Sequence, residues 1–292
     1  MSYIVDPKEV STAALHAYML SAVAPRPIAF ASTVDSHGEP NLSPFSFFNA
    51  FGSNPPTLIF SPARRVRDNT VKHTLENVME VPEVVINTVS YSIVQQMSLS
   101  STEYDKGVSE FLKSGLTPIA SRKVKPYRVK ESPVSMECKV TDIIETGKEG
   151  GAGNLIVCEI LLMHIDPEVM TDDKKIDQQK IDLVARLGGN WYCRASGDSL
   201  FEVAKPIKTH GVGVDEVPHE FRESHILTGN DLGKLGNVEQ VPNKDQLNKF
   251  RDSPEGKEFT AKIAGDTNIR QQIAHELLLN NEVAKAWKIL LF

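Results

Sequence analysis

Hydrophobic and polar positions change rhythm several times along the chain, and each change predicts an element. Between Ile28 and Val34 apolar, small and β-branched residues run together. Asp35-Ser36-His37-Gly38-Glu39-Pro40 then supplies turn chemistry, which predicts a hairpin. The segment from Asn41 to Phe51 is rich in Phe and Ser, and Pro55-Pro56 forms a rigid break before a third strand at Thr57-Leu58-Ile59-Phe60. Short strands with tight connections favour antiparallel β structure. From Asn69 to Val78 the period lengthens, with Val71, Leu75 and Val78 at helical spacing and Asn69 or Thr70 available as N-cap.

A strand pattern returns over Val84 to Val89, and short helices are expected around 92–99 and 109–116. Two long strand-like stretches follow, Val134 to Ile144 and Leu155 to Ile165, separated by the glycine-rich segment Gly147 to Gly153. Residues 1–195 therefore read as a β-barrel decorated with helices, and 196–292 as a mostly helical C-terminal extension. In the extension Ile269, Ile273 and Leu277 recur every four residues, and Val283, Trp287 and Leu291 repeat the step. Such a stripe is expected to pack on the barrel or on a second subunit.

Composition narrows the function. The 292 residues carry 40% hydrophobic and 24% charged side chains, an ordinary globular balance. A net charge of −6 with dispersed Lys and Arg gives no footprint for a nucleic acid backbone. The first twenty residues lack a basic segment followed by an apolar core, and no apolar run reaches the ~18 residues of a membrane span. A cytoplasmic protein with neither nucleic acid nor membrane as partner is the expectation. Cys138, Cys158 and Cys193 are widely spaced without a CxxC, as expected of buried or incidental thiols rather than a disulfide framework or zinc cluster. GxGxxG after a strand, GxxxxGK[ST], HExxH and GxSxG are all absent, which disfavours the common nucleotide, zinc-hydrolase and serine-hydrolase sites.

Two features remain. Lys72-His73-Thr74 falls at an expected helix start, where unpaired amides and the positive dipole end attract phosphate. An ordinary solvated first turn capped by Thr70 is the commoner meaning of that spacing. In a continuous strand, Ser46 and Phe48 would share one face and Phe47 and Asn49 the other, each face pairing a polar with an aromatic group. That mixture suits a planar ring with hydrogen-bonding edges, although Phe-rich strands are more often plain core.

The run "PRPIAFASTVDSHGEPNLSPFSFFNAFGSNPPTLIFS" resembles the flavin reductase-like family, and the similarity continues in order through "KHTLENV", "VVINTV", "SEFLKSGLTPIASRKVKPYRVKESPVSMECKV" and "VARLGGNWY", over roughly residues 15–192. This resemblance implies a mainly β fold with added helices, the Greek-key FMN-binding split barrel, with FMN held non-covalently near the interface of a homodimer. It implies flavin contacts from Ser32 and Thr33 in "FAST", from Ser46, Phe47, Phe48 and Asn49 in "SPFSFFN", and from Tyr192. Lys72 and Thr74 match the family's Lys-Asp-Thr phosphate motif, with His73 in place of its Asp, and Arg64 and Arg65 upstream could add charge. The activity implied is that of a flavin reductase taking reducing equivalents from NAD(P)H, with an oxygenase or electron-transfer protein as possible partner. The alternatives are a flavoredoxin-like FMN electron carrier and a binding protein that kept the barrel but lost the flavin.

Overall fold

The computed structural model describes residues 2–206 and 210–291. It divides into two compact units, Met1–Phe201 and Glu202–Phe292. The first unit opens with helix α1 (Thr12–Ala22), capped by Ser11, whose hydroxyl accepts from the Ala14 amide. Strands β1 (Ala29–Val34), β2 (Pro40–Phe45), β3 (Phe48–Ser53) and β4 (Pro56–Phe60) follow. Helix α2 (His73–Glu80) and β5 (Glu83–Asn87) come next, then α3 (Val94–Leu99) and α4 (Glu110–Ser114). The pair β6 (Pro118–Ile119) and β7 (Arg128–Val129), the long strands β8 (Val134–Glu145) and β9 (Asn154–Ile165), and the pair β10 (Val184–Arg186) and β11 (Tyr192–Arg194) complete it.

Seven strands form one antiparallel sheet in the order β2-β1-β5-β8-β9-β4-β3. Its two outer strands, β2 and β3, are consecutive in the chain and joined only by Ser46 and Phe47. Three Cα steps reach at most ~11 Å, so the sheet must curl until its edges nearly meet there. The edges meet without pairing, and the result is a split barrel. Register shifts along the β8–β9 pair, one at Glu137/Cys138 and one at Val140/Asp142, help bend the longest hairpin.

The β1–β2 hairpin closes where the turn residues place it. Asp35 Oδ1 accepts the amides of His37 and Glu39, both at 2.9 Å, and Gly38 takes a φ of +86° that a side chain would resist. Every residue of β1 is buried. Ala29 and Ala31 face the barrel interior with Phe60, Ile86 and Ile156, whereas Ile28 and Phe30 face a second cluster with Met97 and Phe111. This two-sided burial explains why β1 reads as an unbroken run of small and apolar residues.

Three expectations need correction. The stretch from Asn41 to Phe51 is not one strand, because the chain crosses from one edge of the sheet to the other at Ser46–Phe47. Face alternation therefore does not carry through Ser46–Asn49. Helix α2 starts after Lys72 rather than at Asn69 or Thr70, since both cap candidates are occupied by the preceding loop. Asn69 has a φ of +57° and accepts Arg64 Nε at 2.6 Å, and Thr70 bonds Asp68 and Arg65. Finally, the C-terminal apolar stripe is taken up in the core of its own unit, where Ile273, Leu277 and Trp287 are buried and Ile269, Val283 and Leu291 pack against them.

That stripe lies inside the second unit, which comprises α5 (His219–Arg222), α6 (Gly229–Gly236), α7 (Lys244–Asp252), α8 (Pro254–Ile263), α9 (Thr267–Leu279) and α10 (Val283–Leu290). Ile273, Leu277 and Trp287 join Phe221, Leu227 and Leu235 in its own core. Trp287 Nε1 donates to the Leu235 carbonyl at 3.0 Å, so the buried indole is satisfied. Thr228 and Asn243 form capping boxes at α6 and α7, which fixes where those helices begin. Among the described residues no helix is long and apolar enough to cross a membrane.

Glu137 on β8 is a fully buried carboxylate of the barrel. It accepts the amides of Arg122 at 2.9 Å and Lys123 at 2.5 Å and meets His164 Nε2 at 2.6 Å. Burial pushes its carboxyl up, but the two amides and His164 outweigh it and hold it below the usual range. A folded pKa below the unfolded one contributes stability above the unfolded value and loses it as pH falls through the folded one. Denaturant titrations of Glu137→Gln and the native chain should therefore differ near neutrality and converge in acid. A constant gap down to acid pH would show that the carboxylate contributes nothing by ionisation.

Candidate functional site

The amino end of α2 is uncapped by any side chain, so its first amides are available to an anion. Around it gather Arg65, Lys72, His73 and Thr74, together with Asn41 and Ser43 of β2 and the segment Ser100–Tyr104 after α3. The loop that carries Arg65 is gripped by the β8–β9 connection: the Arg64 amide donates to the Ala152 carbonyl at 2.8 Å and the Gly151 amide to the Arg64 carbonyl at 2.9 Å. A Cβ at Gly150 would come within 3.0 Å of the Arg65 carbonyl, which is why glycine stands there. Arg64 itself is committed to Asn69 through Nε and Nη2 and does not line the cradle.

Inside the cradle the polar side chains are chained together. Thr74 Oγ1 donates to Asn41 Oδ1 at 2.8 Å, Asn41 Nδ2 donates to Glu110 Oε1 at 2.8 Å, and Glu110 Oε2 accepts the Leu42 amide at 3.0 Å. Burial pushes the Glu110 carboxyl up, against the pull of the Leu42 amide and Asn41. The cations already hold a carboxylate: Glu103 meets Arg65 Nε at 2.8 Å and Lys72 Nζ at 3.3 Å, and also pairs with Arg67. Hydrogen bonds from Arg65 and Arg67 bring the Glu103 pKa down to about 2.

Ser101 belongs both to this cradle and to an adjoining cavity of about 500 Å³. Ile28, Pro44 and Met97 give the cavity apolar surface, and Ser46, Gln95 and Asn190 give it polar groups. On another side the Arg186 guanidinium lies 4.5 Å from the Tyr192 ring centroid, a cation–π stack that presents a flat wall.

Buried Arg26 sets the position of several of these walls. Its Nε donates to Ser46 Oγ at 3.3 Å, Nη2 to the Leu187 carbonyl at 3.0 Å, and Nη1 to the Leu20 and Val23 carbonyls at the end of α1. A cation suits the exposed carbonyls of a helix C-terminus. Burial and the nearby Arg186 charge lower its pKa. Backbone bonds of 2.9 Å in both directions tie Arg26 to Arg186, and Gly188 lets that loop approach Ser21 of α1 more closely than any Cβ would allow.

Of the residues singled out from sequence, Lys72 and Thr74 line the cradle, and Ser46 and Tyr192 line the cavity. The other five line neither. Ser32 and Thr33 are buried in β1, where Thr33 Oγ1 accepts from Asn77 of α2 at 3.1 Å and Ser32 Oγ has no hydrogen-bond partner. Phe47 meets His16 of α1 edge-on with centroids 6.0 Å apart, Phe48 packs against the barrel core, and Asn49 is exposed on β3. Sequence reasoning passed over Ser101, Glu103 and Arg186. Only Arg186 had a neighbouring signal, the "VARLGGNWY" segment that contains it.

The flavin reductase like domain matches residues 20–177, and the chain belongs to this family. An uncharacterised protein of Aquifex aeolicus is 36% identical over 203 residues, which is 70% of this chain and 100% of that protein. Among solved structures, nitrilotriacetate monooxygenase component B of Bacillus cereus superposes with a TM-score of 0.65 at 26% identity, covering 70% of this chain and 99% of its own. A split-barrel-domain protein of Shewanella frigidimarina does so with a TM-score of 0.57 at 29% identity, over 68% of this chain and 95% of its own.

Because Arg26 satisfies carbonyls from two elements and orients Ser46, Arg26→Ala should lower the unfolding free energy of the barrel by about 2–4 kcal/mol. Arg26→Lys should recover only part of this, since one ammonium cannot match a planar fork. Urea denaturation of the two variants beside the native chain measures both effects. Equal stability in all three would remove Arg26 from this role.

Proposed function

We propose that the protein is an FMN-binding oxidoreductase of flavin reductase type, passing reducing equivalents from NAD(P)H to flavin. The observation that carries this reading is the continuity, through Ser101, of a cationic cradle and a flat-walled cavity. One end suits a phosphate and the other a planar ring, which are the two ends of FMN. The carboxylate of Glu103 seated on Arg65 and Lys72 supports the fit at the first end, because it occupies those cations as an anion would.

In this reading Lys72, Arg65 and the first amides of α2 bind the phosphate, while Thr74 braces the cradle through Asn41. Ser46, held by Arg26, faces the ring edge, and Tyr192 with Arg186 closes one side against water. Ser32, Thr33, Phe47, Phe48 and Asn49, which line neither the cradle nor the cavity, are given no flavin contact in this reading. When bound, FMN supplies the two-electron acceptor for a hydride from the nicotinamide, and no side chain need serve as nucleophile or general base. Similarity to a monooxygenase component favours an oxygenase as eventual consumer of the reduced flavin.

A homodimer completes the proposal. All eleven residues of α1 remain unburied in the single chain, with Tyr18 and Met19 about half exposed, and Trp191 beside the cavity wall is 76% exposed. A second copy covering these apolar groups would also narrow the cavity mouth. Sedimentation should give twice the chain mass, and Tyr18→Glu with Met19→Lys should shift it toward the monomer. A native chain that sediments as a monomer would end the dimer reading.

The activity is tested by adding FMN and then NADH or NADPH without oxygen. Bound flavin should bleach, and Lys72→Ala should weaken FMN retention by about tenfold through the loss of one charged phosphate contact. Bleaching by dithionite alone would assign a flavoredoxin-like electron carrier instead. Absence of binding would leave the barrel as a protein-binding module.

A further inference from the structure

The contacts of Glu103 go beyond a supporting role. Its carboxylate engages Arg65, Arg67 and Lys72 together, and Arg65 and Lys72 are cations of the cradle. Arg67 lies outside the cradle, is 68% exposed and also meets Asp68 at 2.9 Å. Glu103 sits on the segment between α3 and α4, whose backbone makes only short-range turns there: Ser101 to Ser98 at 3.1 Å, Thr102 to Leu99 at 3.2 Å and Tyr104 to Thr102 at 3.0 Å. The carboxylate is therefore a long-range tie of this segment to the cradle. The same segment contributes Ser101, the residue shared by cradle and cavity.

We propose that Glu103 is an internal counter-anion that competes with the flavin phosphate for Arg65 and Lys72, and so determines how tightly a phosphorylated flavin is held. The inference rests on the flavin reading and deepens it. With Glu103 in place, the charges of Arg65, Lys72 and Glu103 sum to +1, against a phosphate monoester of about −1.5 to −2. Without that carboxylate the two cations, Arg65 and Lys72, present +2. Like charges brought together in a partly desolvated site repel, and each arginine or lysine donor given to one anion is withheld from the other. A phosphate held against such a competitor leaves readily, which suits a flavin that turns over as a substrate rather than one retained as a prosthetic group.

The charge effect should be specific to the phosphate, and this separates it from general loosening of the site. FMN and riboflavin, which shares the ring and ribityl chain but lacks phosphate, are titrated by fluorescence into the native full-length protein, Glu103→Gln and Glu103→Asp. Glu103→Gln should bind FMN about fivefold tighter, the scale of one partly exposed charge interaction, and release it correspondingly more slowly in stopped flow. Its riboflavin affinity should stay within twofold of native. Glu103→Asp, which keeps the charge, should keep the native preference between the two ligands. FMN affinity unchanged or weakened in Glu103→Gln, or riboflavin tightened as much as FMN, overturns the competition while leaving flavin binding intact. If none of the three proteins binds either ligand, it is the flavin reading itself that fails, and the competition falls with it.

Discussion

The link between the outer strands of the sheet has only two residues. Ser46 and Phe47 take the chain from β2 to β3, and no flat seven-stranded sheet allows such a crossing, because strands lie ~4.8 Å apart and its edges would stand roughly 29 Å from each other. Rolling of the sheet is thus a condition of connectivity. Rolling buries Ala29 and Ala31 with Phe60 and Ile86 inside, turns Ile28 and Phe30 outward under the short helices, and leaves a seam at the link. Ser46 lies at that seam and also at the cavity wall, so the feature that shapes the barrel also places a polar group at the candidate site.

Positive charge is deployed in two different ways around this seam. Arg26 is buried and its donors are spent on carbonyls of α1 and the Leu187 loop and on Ser46, which makes it a structural fastener. Arg65 and Lys72 meet a carboxylate on a loop, at side-chain exposures of 17% and 28%, where an incoming anion can exchange with it. The distinction follows from the partners: backbone carbonyls of packed elements do not leave, whereas a carboxylate on a turn does.

The helical unit obeys its own logic. Its stripe of Ile273, Leu277 and Trp287 is consumed by Phe221, Leu227 and Leu235, so the amphipathicity of α9 and α10 reports an internal core and carries no information about a partner. The family match at residues 20–177 lies wholly within the first unit. The catalytic reading accordingly concerns the barrel.

By itself the sequence determined what depends on neighbours along the chain. The hairpin turn at Asp35–Pro40, the β-rich order of the first unit, the long β8–β9 pair and the helical character of the end were legible because turn chemistry and periodicity are local. Ordered motifs further pointed to the flavin reductase-like family, and Lys72 and Thr74 to an anion cradle. Tertiary structure alone decided what depends on competition between distant groups. It broke the Asn41–Phe51 strip at Ser46, because the two sheet edges had to meet there. It withheld Asn69 and Thr70 from the α2 cap, because arginines of the preceding loop claimed them. It brought Glu103 and Ser101 to the site from a segment whose local sequence holds no mark of it, and Arg186 from a segment marked only by a family motif, because an ion pair or cavity wall made by residues tens of positions apart leaves no period and no spacing to read.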